Sequence, residues 1–249
     1  MRKNLLIIST IVCMILTLTA ASFAAEKTIM LIAKPEQTDL LVEYLQVDDS
    51  LELVVVNEGT LFDTGSELFT PEAMQSYDAF IIGELVGGAG FNGAIMMEMD
   101  LQEAIAKRVA EGAGLAMIGG WCSYQGGMAD WSGQWHGTPI DDALPVAISD
   151  DWDTNDDGCN EPRIENGDHP IVAGLDWASV ERFGGYNKVT ADEDGEVLVS
   201  DPAAGLPLIT VRGKSVAYAG GLAGGWDSDF ITWADFGTMW LQLARYLVD

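Results

Sequence analysis

The chain has 249 residues, 48% of them hydrophobic, so it is long enough to bury a full core and fits one large domain. Its formal net charge is −27, from 39 acidic and 12 basic residues. Such a surface repels phosphate backbones and anionic lipid heads, which makes nucleic acid a poor candidate for a partner. Cations, neutral sugars and peptides stay open as ligands, and a homo-oligomer stays open as the assembly.

The N-terminus has the three parts of a secretory signal peptide. Two basic residues precede an apolar stretch over residues 5–20, and small residues follow up to Ala24. The apolar stretch is short for a membrane span, which needs about 20 residues, so a retained anchor is the weaker alternative. The sequence therefore predicts a signal peptide over residues 1–24, one domain over residues 25–249, and a secreted or periplasmic protein without a membrane segment after signal removal.

The first half of the chain alternates strand and helix patterns. Continuous apolar runs, typical of strands buried on both faces, lie at residues 27–34, 51–57, 78–83 and 115–118. Helical patterns between them are opened by Pro35, by Pro71 and by a capping-box pair, Asp100 with Glu103. This alternation predicts an α/β fold in which a mostly parallel sheet forms the middle of three layers, with helices on both faces.

In the second half, residues 123–168 lose this pattern and are rich in Gly, Asp, Trp and Pro. We predict a long irregular insertion, of a kind that is more often functional than decorative. Regular structure returns with a strand at residues 196–200 and a hairpin whose strands are residues 206–211 and 215–220. A helix with an apolar stripe closes the chain.

The stretch GGWCSYQGG, residues 119–127, places Cys122 directly after the fourth predicted strand. Glu84 follows the third predicted strand in the same way. Because open α/β sheets bind ligands at the carboxyl ends of their strands, we expect a ligand site at this edge. Its candidate ligand-binding residues are Glu84, Ser123, Tyr124 and Gln125. Cys122 itself has three interpretations: a nucleophile on a tight turn, half of a disulfide, or a small residue that fills space.

Cys122 and Cys159 are the two cysteines outside the predicted signal peptide. Two thiols in an oxidising compartment most often pair, so a Cys122–Cys159 disulfide is one expectation. A free Cys122 thiol is the alternative, and nucleophilic chemistry requires it.

Residues 153–158, DTNDDG, match the first half of a calcium-binding loop, in which alternate oxygens surround the cation and the glycine permits a sharp turn. The ligands would be Asp153, Asn155 and Asp157. The match weakens at Ile164, which stands where such a loop has a bidentate glutamate. Two interpretations follow: a calcium site, or a solvated turn of Asp and Asn.

The order of the short motifs resembles that of the class I glutamine amidotransferase-like superfamily, and more closely its glutamine amidotransferase-like family of largely unknown function. A weaker similarity to trehalose-utilisation relatives depends on the Asp-His-Pro stretch at residues 168–170. The resemblance implies a flavodoxin-like fold. The motifs that carry it lie at residues 78–83, 114–126, 137–146, 168–172, 185–187, 212–219 and 226–240.

The resemblance also implies a Cys-His-Glu triad, of which this sequence has only one part. The nucleophile of working amidotransferases lies in a Gly-x-Cys-x-Gly turn, and here Tyr124 stands where the second glycine belongs. The histidine and glutamate lie in a His-Pro-Glu element after the last core strand, where this chain reads AGGLAGGWD over residues 219–227. A base for Cys122 would have to come from His136 or His169, both upstream.

We therefore expect an exported amidotransferase-like protein that lacks a complete triad. It would bind or process a small polar ligand, a carbohydrate or a peptide, with Trp226 and Asp227 also at the site. One alternative is an active cysteine amidohydrolase in which Cys122 attacks an amide with His136 or His169 as base. The other is a structural or interaction domain.

Overall fold

The computed structural model describes residues 27–57, 65–85, 97–127, 132–222, 226 and 229–249. Residues 1–26, which include the predicted signal peptide, lie outside this part. The described strands are β1 (Lys27–Ile32), β2 (Leu51–Val56), β3 (Ala79–Ile82), β4 (Gly114–Ile118), β5 (Val146–Ala147), β6 (Thr154–Asn160), β7 (Arg163–Ile164), β8 (Arg182–Asn187), β9 (Thr190–Ala191), β10 (Glu196–Asp201), β11 (Leu206–Arg212) and β12 (Ser215–Tyr218).

The described helices are α1 (Pro35–Leu45), α2 (Gly65–Leu68), α3 (Met99–Ala110), α4 (Pro139–Ala143) and α5 (Phe236–Val248). Three short 3₁₀ turns lie at Ala73–Ser76, Trp177–Ser179 and Phe230–Thr232. Within the described residues, no helix has both the length and the apolar character that crossing a membrane requires.

An eight-stranded sheet has the order β2-β1-β3-β4-β12-β11-β10-β7. The five strands from β2 to β12 run parallel, and β11, β10 and β7 continue the sheet antiparallel. β3 and β4 are buried at every residue, which is why their sequences are continuously apolar rather than alternating. The predicted α/β class with a mostly parallel sheet and the predicted β11–β12 hairpin are confirmed.

Two groups of helices cover the sheet: α1 packs with α5, and α3 packs with α4 and the 3₁₀ turn at Ala73–Ser76. α5 lies directly against the start of β4, since a Cβ on Gly114 would come within 2.4 Å of the Leu247 carbonyl oxygen. The capping box predicted for α3 is wrong. That helix begins at Met99 with Glu98 as its N-cap and no side-chain cap, so Asp100 lies inside the first turn.

The prediction that residues 123–168 are irregular is wrong in part. This stretch contains α4, β5, β6 and β7. β6 forms an antiparallel pair with β8, β5 pairs with β9, and β7 joins the edge of the large sheet. β6 has no alternating pattern because it is largely polar and its pairing with β8 has two register shifts between Asn155 and Asn160. Trp135 ties the stretch to the core, with its indole N–H donating to the Leu85 carbonyl at 2.9 Å.

Candidate functional site

The candidate site begins where β4 ends, at the turn formed by residues 119–127. Gly120 has a φ of 148°, a conformation that favours glycine. A Cβ at this position would lie 2.4 Å from Glu84 Cγ. Glycine at position 120 thus allows the Glu84 side chain to lie directly against the turn.

Three side chains from the ends of neighbouring strands meet at this turn, and we call them the thiol cluster: Lys34 after β1, Glu84 after β3 and Cys122 after β4. The Lys34 ammonium lies 3.9 Å from Cys122 Sγ and 3.5 Å from Glu84 Oε2. The other carboxylate oxygen, Glu84 Oε1, accepts the Cys122 backbone N–H at 3.1 Å. Cys122 is only 3% exposed, whereas the Lys34 side chain is 23% exposed and forms the more accessible part of the cluster.

The charges in the cluster fix its resting protonation state. Burial lowers the pKa of Lys34, but the charges of Glu84 and Cys122 outweigh burial and raise it above its ordinary value. Burial raises the pKa of the Cys122 thiol, the Glu84 charge raises it further, and Lys34 opposes both. At neutral pH the cluster therefore holds an ammonium beside a protonated thiol. Such a thiol needs a base before it can act as a nucleophile.

A buried polar pair holds the cysteine turn in place. The Asn187 side chain accepts the Gly120 N–H at 2.8 Å and donates to the Gly120 carbonyl at 3.2 Å and to Asp153 Oδ1 at 2.7 Å. Asp153 in turn accepts the backbone N–H groups of Gln125 and Gly126, both at 2.9 Å. Burial raises the pKa of Asp153 to about 6, although these three donors and the Lys188 charge lower it. Asp153 and Asn187 thus bond to both ends of the turn.

The calcium site predicted at Asp153, Asn155 and Asp157 is wrong. Asp153 is buried, and three N–H donors use its oxygens. Asn155 Oδ1 accepts the Asp157 backbone N–H, while Asp157 is exposed. Residues 154–158 of the motif belong to the strand β6 instead of a loop, so the oxygens do not converge. No group of three or more His, Cys, Asp or Glu side chains in the described parts of the chain is arranged to hold a metal ion.

The predicted disulfide is also wrong, because Cys122 and Cys159 are both free, buried thiols. Cys122 lies against Lys34, whereas Cys159 belongs to β6 and lies near the Asp201 carboxylate. Burial raises the pKa of Cys159 to about 12, and Asp201 adds to the shift. The two cysteines therefore differ in surroundings, and only Cys122 has a cation beside it.

Neither histidine of the chain hydrogen-bonds to Cys122, whose thiol has Lys34 as its partner. His136 Nδ1 lies 2.7 Å from the Ile148 carbonyl, and its side chain is 51% exposed. His169 is buried against Tyr246, whose hydroxyl donates to the Gly213 carbonyl just before β12 begins. That places His169 at the amino end of the parallel strands, the edge opposite Cys122.

The prediction that Ser123 and Tyr124 bind a ligand is wrong, because both side chains are buried in the core. Ser123 Oγ donates to the Ile118 carbonyl, and the Tyr124 hydroxyl donates to the Met117 carbonyl at 3.1 Å. Gln125 is partly buried, and its side-chain oxygen has no partner among the described residues. The first two residues thus hold the turn onto β4.

Of the two residues predicted near the C-terminus, Trp226 is described, and its contacts are with β8 and Asp156. Trp226 lies against β8, where a Cβ on Gly185 would come within 2.2 Å of the indole nitrogen. Its indole N–H donates to Asp156 at 2.9 Å. Asp227 lies outside the described residues.

Sequence reasoning did not identify Lys34, although the rule that identified Glu84 applies to both. Each residue follows a parallel strand by two positions, Lys34 after β1 and Glu84 after β3. The first predicted strand includes Lys34, whereas that strand ends at Ile32 in the structure. Asn187 gave no local signal, because its partner Gly120 is 67 positions away.

The family model described as "Putative glutamine amidotransferase" matches residues 64–249. A solved structure of a cytoplasmic protein of Salmonella typhimurium LT2, STM1381, is similar with a TM-score of 0.72 and 23% identity, covering 88% of this chain and 99% of that one. The glutaminase domain of a Trypanosoma brucei CTPS with bound acivicin has a TM-score of 0.45 and 11% identity, covering 89% and 93%. No curated protein sequence matches the chain. At 23% identity the STM1381 structure bears on the fold alone.

Proposed function

Because the chain belongs to the glutamine amidotransferase-like family, we propose that it binds or processes a small polar ligand at the carboxyl edge of its sheet, without the Cys-His-Glu triad of working amidotransferases. The thiol cluster is the proposed site. A carbohydrate or a peptide fits the proposal, because the strongly acidic surface disfavours anionic ligands.

The observation that carries the proposal is the set of partners of the cysteine. The Cys122 thiol faces the Lys34 ammonium, and the two histidines lie elsewhere. A base within hydrogen-bond reach of the thiol is what a cysteine–histidine mechanism requires. The Lys34 ammonium has three N–H donors; Cys122 and Glu84 engage two of them, which leaves a third for a ligand carbonyl or hydroxyl.

Intrinsic tryptophan fluorescence tests ligand binding, because the partly exposed Trp121 precedes Cys122. We expect a saturable change with at least one member of a panel of neutral sugars, short peptides and L-glutamine, and its loss in Lys34→Met. The control variant is Lys107→Met, an exposed lysine on α3, which should keep the response. No response to any member would support the structural or interaction role instead.

Ammonia release from L-glutamine tests the missing triad. We expect background rates for the unmodified protein, and the same rates for His136→Ala and His169→Ala. Glutamine hydrolysis that Cys122→Ser and one of the histidine variants both abolish would overturn this part of the proposal.

We also propose that the protein is exported. The support is the basic, apolar and small-residue order of residues 1–24. Mass spectrometry of protein recovered from the periplasm or the medium should find Ala25 as the first residue. Recovery of the intact chain in the cytoplasm alone would contradict export.

A further inference from the structure

We propose that Glu84 and Lys34 replace the missing histidine base, so that Cys122 is a nucleophile toward small amides that carry no charged group, which excludes zwitterionic L-glutamine. Glu84 is the proton acceptor and Lys34 the stabilising cation. This inference rests on the proposed function, since it specifies the processing that the same site would perform.

Glu84 is the only candidate base in the thiol cluster. Lys34 cannot serve, because its two neighbours hold it in the protonated form. Glu84 is buried, and its backbone N–H donates to Gln37 at 2.8 Å. Its carboxylate has two contacts: one oxygen accepts the Cys122 N–H and the other faces Lys34. The carboxylate therefore contacts both the backbone of Cys122 and the ammonium that lies against its sulfur. A general base must come within hydrogen-bond reach of the thiol proton, and Glu84 is the carboxylate of the cluster that can do so as the substrate binds.

Lys34 supplies the positive charge that a helix N-terminus supplies in other cysteine sites. Residues 121–125 form turns and bends, so no helix dipole points at the thiol from its own turn. The ammonium, 3.9 Å from Sγ, takes over this task. It would stabilise the sulfur as the proton leaves, and then the oxyanion that develops on the substrate.

The chemistry balances without an oxidant or a metal. Glu84 accepts the thiol proton as sulfur attacks the amide carbon, a C–S bond forms, and the carbonyl electron pair moves to oxygen beside Lys34. The C–N bond then breaks and the leaving amine takes the proton from Glu84, which gives a thioester. Water attacks the thioester while Glu84 accepts its proton. The C–S bond breaks and the proton returns to sulfur, which releases a carboxylic acid.

The two possible roles of Glu84 predict opposite results for Glu84→Gln. The glutamine keeps an oxygen to accept the Cys122 N–H but cannot accept a proton from sulfur. If Glu84 acted through its charge alone, its removal would lower the pKa of the thiol and speed alkylation. If Glu84 is the base, alkylation slows, by about tenfold or more.

The experiment is alkylation of the full chain by 2-chloroacetamide, a small neutral amide, followed by mass spectrometry and peptide mapping. We expect one labelled site, Cys122, slower labelling in Glu84→Gln, and slower labelling in Lys34→Met by about tenfold because the cation is lost. Cys159→Ser and Lys107→Met are the matched controls and should label at the unmodified rate. Unchanged or faster labelling in Glu84→Gln would overturn the inference.

A second measurement needs no variant. If a proton moves to a base during attack, alkylation is slower in D₂O than in H₂O. If the thiolate is already formed, its attack involves no proton transfer and is not slowed in D₂O. A rate in D₂O equal to or above that in H₂O would also overturn the inference. Ligand binding measured by fluorescence would survive either failure, so the two proposals are tested separately.

Discussion

Asn187 bonds the backbone of Gly120 through both ends of its amide: Oδ1 accepts the Gly120 N–H at 2.8 Å, and Nδ2 donates to the Gly120 carbonyl at 3.2 Å. The same Nδ2 donates to Asp153, so one side chain on β8 connects the cysteine turn to the residue that precedes β6. The amide and its partners are buried, so none of these bonds is replaced by water when it is lost.

Asn187→Ala should therefore destabilise the protein by about 2–4 kcal/mol, because it leaves the Gly120 N–H and one Asp153 oxygen buried without partners. Urea unfolding measures the change. The control is Asn166→Ala, which removes two exposed hydrogen bonds, one to Glu196 and one from the Asp168 N–H, and should cost less than about 0.5 kcal/mol. Equal costs for the two variants would show that Asn187 does not hold the turn.

Asp153 makes stability depend on pH. Its pKa is raised from 3.8 to about 6 in the folded protein. Between these two pH values the folded state therefore holds a proton on Asp153 that the unfolded state has lost. The stabilisation from that proton is full below about pH 4 and is lost as pH rises through about 6, about 3 kcal/mol in all. Unfolding free energies across this window should fall more with rising pH in the unmodified protein than in Asp153→Asn. The control is Asp157→Asn, an exposed site on β6. Parallel curves of unfolding free energy against pH for the unmodified protein and Asp153→Asn would contradict the prediction.

Gly120→Ala should destabilise the protein and disturb the thiol cluster, because the new Cβ would lie 2.4 Å from Glu84 Cγ. Gly112→Ala is the matched control, since Gly112 also has a positive φ, 110°, but a Cβ added there would have no neighbouring atom within 4 Å. The control carries the backbone strain alone, about 1–3 kcal/mol. We expect Gly120→Ala to cost more than the control and, unlike it, to change the rate of Cys122 alkylation.

The tryptophans of the 123–168 stretch should separate into two classes. Trp135 is buried, and its indole N–H is bonded to Leu85, so Trp135→Ala should cost about 3–5 kcal/mol. Trp152 is 56% exposed, and Trp152→Ala should change stability by less than about 0.5 kcal/mol. Thermal unfolding of both variants checks the contrast, and similar shifts would contradict the burial of Trp135.

Thiol titration checks the two free cysteines. In denaturant and without reductant, the protein should show both Cys122 and Cys159 as reactive thiols. In the native state at neutral pH, Cys159 should not react, because its pKa is about 12. The absence of reactive thiols in denaturant would indicate that Cys122 and Cys159 form a disulfide after all.

The parts of the fold that could be predicted from sequence are those with local signals. The continuous apolar runs predict β1 to β4, and the strand-end rule predicts the edge at which Glu84 and Cys122 meet. β6 escapes sequence-based prediction because a polar strand with register shifts has no alternation. The motif at Asp153 resembles a cation loop, whereas the partners of that carboxylate come from positions 125, 126 and 187. Residue spacing along the chain carries no information on such contacts.

The Asp153–Asn187 pair also has a consequence for the order of folding. Gly120 and Asp153 both hydrogen-bond to Asn187, which lies 67 residues after Gly120 and 34 residues after Asp153. Contacts of such sequence separation form late, since each closes a long loop of chain. The first four strands can therefore associate before the cysteine turn has its final shape. A nascent chain that has emerged only as far as β7 contains all three residues of the thiol cluster but lacks Asn187, the side chain that fixes the cysteine turn.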